Sequence, residues 1–392
     1  MEGSVDVVIV GGAATGSALA YFLSNSSSFK GSILVLEKDA SYQKCATALS
    51  VASIRHQFST RENIQLSQFG TEFIRNIGDT LAVDGDRPDV NFHEAGYLFL
   101  ATQAGYDVMR ENHALQCSLG AQIVLMNATE LQRKYPWMNV SDLAAGSWGE
   151  KGEGWLDAYG MMRAFRRKAI SQGVRYLENE VVQIHKAGAN ITGVTLDNGD
   201  TIACGVLVNA AGTGAMKLAQ QAGITLPIES RKRSVFYFTC PEKINHCPMV
   251  IDASGVYFHP EGEGFITGVQ PPEDQDPECF DFDVQYQLFD DIIWPTLAHR
   301  VPAFEAIRCE HSWAGHYDYC TFDQNVILGY HPDIKNMVFA NGFSGHGMQQ
   351  SPAVGRGLAE LIEFGEYKSL NLKRLGWERV LSGQPIIEKN VW

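Results

Sequence analysis

The hydrophobic pattern changes period along the chain. At the start, the unbroken apolar run Val7-Val8-Ile9-Val10 and a second at residues 33–36 enclose a segment in which Leu19, Phe22 and Leu23 recur at helical spacing. Unbroken runs suit strands buried on both faces and the 3.6-residue period suits a helix, so the opening predicts strand, helix, parallel strand. The helical period returns at Leu66, Phe69, Phe73 and Ile77, behind Ser59 and Glu62 at capping-box spacing, and again over 158–172 behind Asp157. Residues 79–91 read as a polar loop, 96–137 as strand, helix, strand and short helix, and 146–154 as a glycine-rich return. Over 181–203 the period shortens to two, which predicts strands at 181–185, 191–196 and 201–203 with Asn198-Gly199 as a hairpin turn. A second β-rich block spans 234–270 and is closed by a helix over 284–297. The last long helix follows Val338-Phe339-Ala340-Asn341, with Pro352 in its first turn and Val354, Leu358, Leu361 and Ile362 on one face.

Between the first two strands stands Gly11-Gly12-Ala13-Ala14-Thr15-Gly16, and the second strand ends on Glu37. This layout binds the ADP half of a dinucleotide. Gly11 permits the sharp turn, Gly16 lets helix and strand pack closely, the helix N-terminus offers N–H groups to a pyrophosphate, and Glu37 would hold ribose hydroxyls. Ala13 replaces the middle glycine of the usual pattern, so an ordinary crossover without a ligand stays open as the alternative. A second glycine-rich strand-to-helix junction, Gly342-Phe343-Ser344-Gly345-His346-Gly347, implies another helix N-terminus aimed into the same site.

The formal net charge of −14 argues against a nucleic-acid partner, which draws its affinity from clustered Lys and Arg. The short basic run Arg231-Lys232-Arg233 reads as a strand start that faces a pocket. Eight cysteines are scattered with no C-x-x-C and no metal-ligand spacing, so reduced thiols and no metal site are expected. No apolar stretch reaches the length of a membrane span and no secretory signal opens the sequence, which gives an expected cytoplasmic location, or an organelle matrix if a presequence has been removed.

The N-terminal glycine turn with Glu37, Leu207-Val208-Asn209-Ala210-Ala211-Gly212, the 256–268 hairpin and Gly342–Gly347 together resemble the D-amino-acid-oxidase-like superfamily of FAD enzymes, which holds glycine oxidase, sarcosine oxidase and dimethylglycine dehydrogenase. Leu49-Ser50-Val51, Gln57-Phe58-Ser59, Trp313-Ala314-Gly315 and Thr321-Phe322-Asp323-Gln324-Asn325 look most like its FAD-dependent oxidoreductase-domain proteins. The resemblance implies an α/β fold in which a Rossmann-like FAD-binding domain (1–85, 146–228 and 305–392) is interleaved with an α+β substrate domain on an antiparallel sheet (86–145 and 229–304). It implies FAD held by Gly11, Gly12, Ala13, Ala14, Thr15, Gly16, Glu37 and Lys38, by Thr47, Ala48, Leu49 and Ser50, by Val182, Ala210, Ala211 and Gly212, and by Gly345, His346, Gly347, Met348 and Gln349. Non-covalent FAD is expected, with a link at His316 as the alternative.

The implied reaction is oxidation of a C–N bond in a secondary or N-methylated amino acid, or a similar amine, by hydride transfer to flavin N5, with oxygen or a quinone or flavoprotein as acceptor. Such chemistry asks the protein for positioning and a preorganised field rather than an acid–base triad. Arg55 is the expected carboxylate anchor, with His56, Tyr257, His259, His346 and Gln349 as further site candidates; a salt bridge at the domain seam is the other reading of Arg55. Sarcosine oxidases carry lysines where this chain has Gln349 and the Ile266-Thr267 pair, which leaves substrate charge and electron acceptor open. The competing function is a flavoprotein that serves mainly as an assembly or binding factor with little turnover.

Overall fold

The computed structural model describes residues 3–389. The opening unit forms β1 (Gly3–Val10), α1 (Ala14–Asn25) and β2 (Ile33–Glu37). After the short β3 (Ser53–Ile54) come α2 (Arg61–Arg75) and α3 (Ile77–Thr80), then β4 (Tyr97–Ala101), α4 (Tyr106–Ser118), β5 (Ile123–Asn127), α5 (Ala128–Lys134) and β6 (Ala145–Gly149). The pair β7 (Gly154–Trp155) and α6 (Ala158–Ser171) leads to β8 (Arg175–Glu178), β9 (Val181–Ala187), β10 (Asn190–Leu196), β11 (Thr201–Asn209) and α7 (Ala215–Gln221). The second block holds β12 (Ile228–Thr239), β13 (Met249–Ile251), β14 (Tyr257–Glu261), β15 (Gly264–Gly268), α8 (Tyr286–Leu288) and α9 (Trp294–Arg300). The chain ends through β16 (Arg308–Cys320), β17 (Ile327–Tyr330), β18 (Met337–Asn341), α10 (Gly347–Phe364) and α11 (Trp377–Leu381).

Two large sheets organise these elements. The first runs β17-β18-β11-β1-β2-β8, with β9 and β10 added as a meander on β11; its centre is parallel, as the unbroken apolar runs require. Helices α1, α6 and α10 cover one face through Leu19, Phe165 and Val354, and Leu218 of α7 packs on the other. The second sheet runs β16-β12-β15-β14-β13-β4-β6-β5 and is antiparallel except where β13 meets β4. One of its faces packs Phe236, Phe238, Phe258 and Phe265 against Leu297 and Phe304; the other carries Tyr97, Phe99, Met249 and Ile251, with Tyr257 beside them.

Several expectations need correction. Ser59 and Glu62 do not form a capping box: Thr60 is the N-cap of α2, and the Glu388 carboxylate receives the Ser59 N–H at 2.6 Å, the Thr60 hydroxyl at 3.0 Å and the Asn63 amide at 3.1 Å. Glu62 instead pairs with Arg374 at 2.7 Å. The glycine-rich return contains β6, which hydrogen-bonds to both β4 and β5, so the chain leaves the second sheet after Gly149 and not at 146. Likewise β16 pairs with β12 along its length, and the chain rejoins the first sheet at β17 rather than at 305. The 284–297 helix begins at Tyr286, passes through a π-turn at Phe289–Ile293 and ends at Arg300. The strand expected at 201–203 continues to Asn209, and the Arg231–Arg233 run lies inside β12 and not at its start. Pro352 falls in the second turn of α10, because that helix starts at Gly347. The Asp157 cap is present, its carboxylate accepting from the Gly160 N–H at 2.8 Å.

Candidate functional site

The glycine turn is built by close contacts. A methyl group on Gly16 would sit 1.9 Å from the Gly11 carbonyl oxygen, and one on Gly11 would sit 2.2 Å from that of Ala210, with φ at +101°. Neither position tolerates a side chain, so the turn is forced by packing as well as by conformation. Glu37 accepts the Gly12 N–H at 2.8 Å and the Asp39 N–H at 3.1 Å, which ties the tip of β2 to the turn. The N-cap of α1, Ala13, has no side-chain cap, and neither does His346 at the head of α10. Both helices therefore present uncapped N–H groups.

The two helix ends open into one cleft of roughly 1170 Å³, a figure that includes its open mouth. One end is lined by Ala13, Ala14, Thr15, Thr47, Ala210 and Gly212, and the middle by Leu49, Ser50, Gly345, Gly347 and Met348. The second sheet supplies the far wall: Arg233, Val235, Tyr257, Val269, Gln270, Gly315, His316, Tyr317 and Asp318. Burial raises the Tyr257 and Tyr317 hydroxyls, Tyr317 to about 12, so both are hydrogen-bond donors at neutral pH. The Tyr317 hydroxyl and His316 Nε2 have no partner among the described residues. Asp318, raised to about 6 by burial, accepts the Gly342 N–H at 2.6 Å and so shapes the loop into α10.

Sequence-predicted residues divide between the cleft and its supports. Gly11, Gly12, Gly16, Glu37, Lys38, Ala48, Val182 and Ala211 are not among its lining residues; the three glycines and Glu37 build the turn behind it, and Val182 is 48% exposed on β9. Arg55, His346 and Gln349 form a sealed knot behind the cleft. Arg55 Nη2 meets His346 Nε2 at 3.0 Å, Gln349 Oε1 accepts the Arg55 N–H at 2.8 Å, and the guanidinium lies over Phe58, Phe99 and Tyr97 at 4.5, 5.0 and 5.9 Å. Burial, with Arg55 adjacent, holds His346 well below its ordinary pKa. His56 is lowered to about 4 by burial, and its Nε2 meets the Thr71 hydroxyl at 2.9 Å, away from the cleft. His259, also lowered to about 4 by burial, donates from Nδ1 to the Pro260 carbonyl and packs on Trp155 at 4.7 Å. Of the strand residues proposed from sequence, Tyr257 reaches the cleft and His259 does not.

Tyr317, Asp318 and Gln270 are among the lining residues that the pattern did not single out, whereas Arg233 belongs to the basic run expected to face a pocket. Arg233 and Val235 share one face of β12 by the two-residue period, and that signal was available. Glu153 was also hidden: it is fully buried, accepts the His56 N–H at 2.7 Å and the Gln57 amide at 2.8 Å, and is raised to about 7 by burial.

Comparison with known proteins agrees with this geometry. A family model described as DAO, FAD dependent oxidoreductase, matches residues 6–361. The chain is 41% identical to FAD-dependent oxidoreductase domain-containing protein 1 of Xenopus laevis, over 98% of this chain and 84% of that one. Among solved structures, L-proline dehydrogenase from P. horikoshii superposes with a TM-score of 0.86 at 25% identity, over 98% of this chain and 100% of that chain. Glycine oxidase from Geobacillus kaustophilus gives 0.81 at 22% identity, over 95% and 98%, which speaks to the fold. No helix among the described residues is long and apolar enough to cross a membrane, and no group of three or more candidate metal ligands is present among them.

Proposed function

The chain belongs to the DAO family of FAD-dependent oxidoreductases, and from that premise we propose that it oxidises the C–N bond of a secondary or N-methylated amino acid. The observation that carries this reading is the cleft itself. It joins two uncapped helix N-termini and ends on a wall that carries Tyr257, Tyr317 and the Asp276-paired Arg233. The names of the two solved relatives, a proline dehydrogenase and a glycine oxidase, favour an amino-acid substrate.

The residues present fit FAD. Gly11, Gly12, Ala13, Ala14 and Thr15 would receive the pyrophosphate on the N–H groups of α1, Glu37 would take ribose hydroxyls, and Thr47, Leu49, Ser50 and Gly345 to Met348 would flank the flavin. When bound, FAD supplies the two-electron acceptor. The protein's own part is to orient the substrate and exclude water. The α10 N-terminus favours negative charge at its end of the cleft, and the Tyr257 and Tyr317 hydroxyls donate hydrogen bonds from the opposite wall. His316 lines the cleft, yet non-covalent FAD remains the reading here. The acceptor is read as a dye-like or quinone-like oxidant rather than oxygen, since no lysine is among the described residues that line the cleft. Eight free thiols, three of them buried, fit a reducing compartment such as the cytoplasm.

The test is an anaerobic screen of the yellow protein against amines and amino acids, with flavin absorbance as the readout. Bleaching by N-methylated or cyclic secondary amino acids is the expected result. A flavin that no amine reduces would make the protein a scaffold instead.

A further inference from the structure

Arg233 stands in the middle of β12, across from Gly315 of β16, with its guanidinium 4.5 Å from the centre of the Tyr317 ring. Its fork is filled: Nη1 donates to one oxygen of Asp276 at 2.7 Å and Nη2 to the other at 2.9 Å. This is the two-point geometry by which a guanidinium holds any carboxylate. Asp276 does not come from the sheet. It hangs from the connection between β15 and α8, which is tied to β12 through the Cys279 N–H on the Ser230 carbonyl at 2.9 Å, Lys232 on Asp281 at 2.6 Å and the Gln285 N–H on the Ser234 hydroxyl at 2.9 Å.

We propose that Asp276 is an internal stand-in for the substrate's carboxylate: an amino acid binds by exchanging its own carboxylate for Asp276 on Arg233, and the same event loosens the connection from β12. This rests on the functional reading above, that the substrate is an amino acid. The exchange keeps the buried charge balanced, because one carboxylate replaces another on the same guanidinium. The Tyr317 hydroxyl stands beside Arg233, and burial keeps it protonated, so it can donate to an incoming oxygen. Asp276 has somewhere to go. Its neighbours Gln275 and Pro277 are exposed, and Arg231 lies 4.0 Å away as a second cation. Arg55, by contrast, is buried on the rings of Phe58 and Phe99 and is not among the residues that line the cleft.

An exchange and a fixed ion pair predict opposite effects of one substitution. The FAD-loaded protein is titrated with sodium propionate, a carboxylate that cannot be oxidised at nitrogen, and flavin absorbance is followed, with propionamide as the control. Asp276→Asn should tighten propionate roughly tenfold or more by removing the competitor, and Arg233→Gln should weaken it by a similar factor. Propionamide should bind all forms alike. A readout that needs no variant is chymotrypsin cleavage after Phe280, which should quicken in wild type as propionate is added. If Asp276→Asn binds propionate no tighter than wild type and cleavage does not change, the pair is structural and the proposal is overturned. Bleaching by an amino acid alongside that result leaves the functional reading standing. Propionate exchange with no bleaching by any amine upholds the carboxylate site and removes the reading.

Discussion

Arg55 and His346 meet across the interior, Nη2 to Nε2 at 3.0 Å. A guanidinium has only donors, so the imidazole accepts at Nε2 and carries its proton on Nδ1. The contact joins the loop after β3 to the head of α10, and it makes Arg55 part of the frame that aims that helix at the cleft.

Arg55→Met keeps the bulk and removes the donors. It leaves the His346 acceptor buried without its partner, a loss of about 1–3 kcal/mol. Urea unfolding should show a lower midpoint, and gel filtration should show reduced flavin content. A normal midpoint with a raised KM for carboxylate-bearing amines would return Arg55 to the substrate.

Glu37→Ala removes the acceptor of the Gly12 N–H as well as the expected ribose contact. FAD should be weakened by about 1–3 kcal/mol, and the glycine turn should lose order with it. Flavin release on dilution measures the first and hydrogen exchange at Gly12 the second. Unchanged flavin occupancy would remove Glu37 from the cofactor's partners.

Glu153 gives a pH test with a definite sign. Burial raises its pKa from 4.5 to about 7. A group whose folded pKa lies above its unfolded value favours folding most below the unfolded value, here 4.5, and that contribution is lost as pH rises through about 7. Relative to wild type, Glu153→Gln should therefore gain stability at pH 8 compared with pH 5. Urea midpoints of both proteins at the two pH values check this, and a gap that does not change with pH would mean that Glu153 does not titrate in this range.

The electron acceptor is tested by reoxidation. Among the described lining residues the cation is Arg233, and its charge is matched by Asp276. Oxygen gains little help from such a wall, because charge developing on it meets no free ammonium. Photoreduced protein should return slowly in air and quickly with a quinone in stopped-flow measurements; fast return in air refutes this.

Legibility followed range. The β1–α1–β2 unit could be read because Gly16 acts on Gly11 and Glu37 on Gly12 within one crossover, although the Ala210 carbonyl that also crowds Gly11 comes from far along the chain. Ser59 and Glu62 misled because the competitor for the α2 N-terminus, Glu388, is 329 residues from Ser59 in sequence. Arg55 reads as a substrate anchor because its planar fork suits a carboxylate and its Ile-Arg-His setting resembles that of the sarcosine-oxidase arginine; Tyr97 and Phe99, on whose rings it lies, belong to the other sheet and leave no signal near it in sequence. Arg233 was recognised as facing a pocket, but its meaning lies in Asp276, 43 positions away on a connection without a hydrophobic period. Chemistry held by a distant loop leaves no local pattern.

Helices α1 and α10 touch at Gly355, where an added methyl would come within 2.8 Å of the Ala18 backbone. Two rods in backbone contact cannot slide lengthwise without breaking that fit. Their open ends are thereby held at a fixed separation, like the jaws of a caliper. A dinucleotide held as proposed would reach from one jaw to the other, and Gly355 would then help to fix the span it has to bridge.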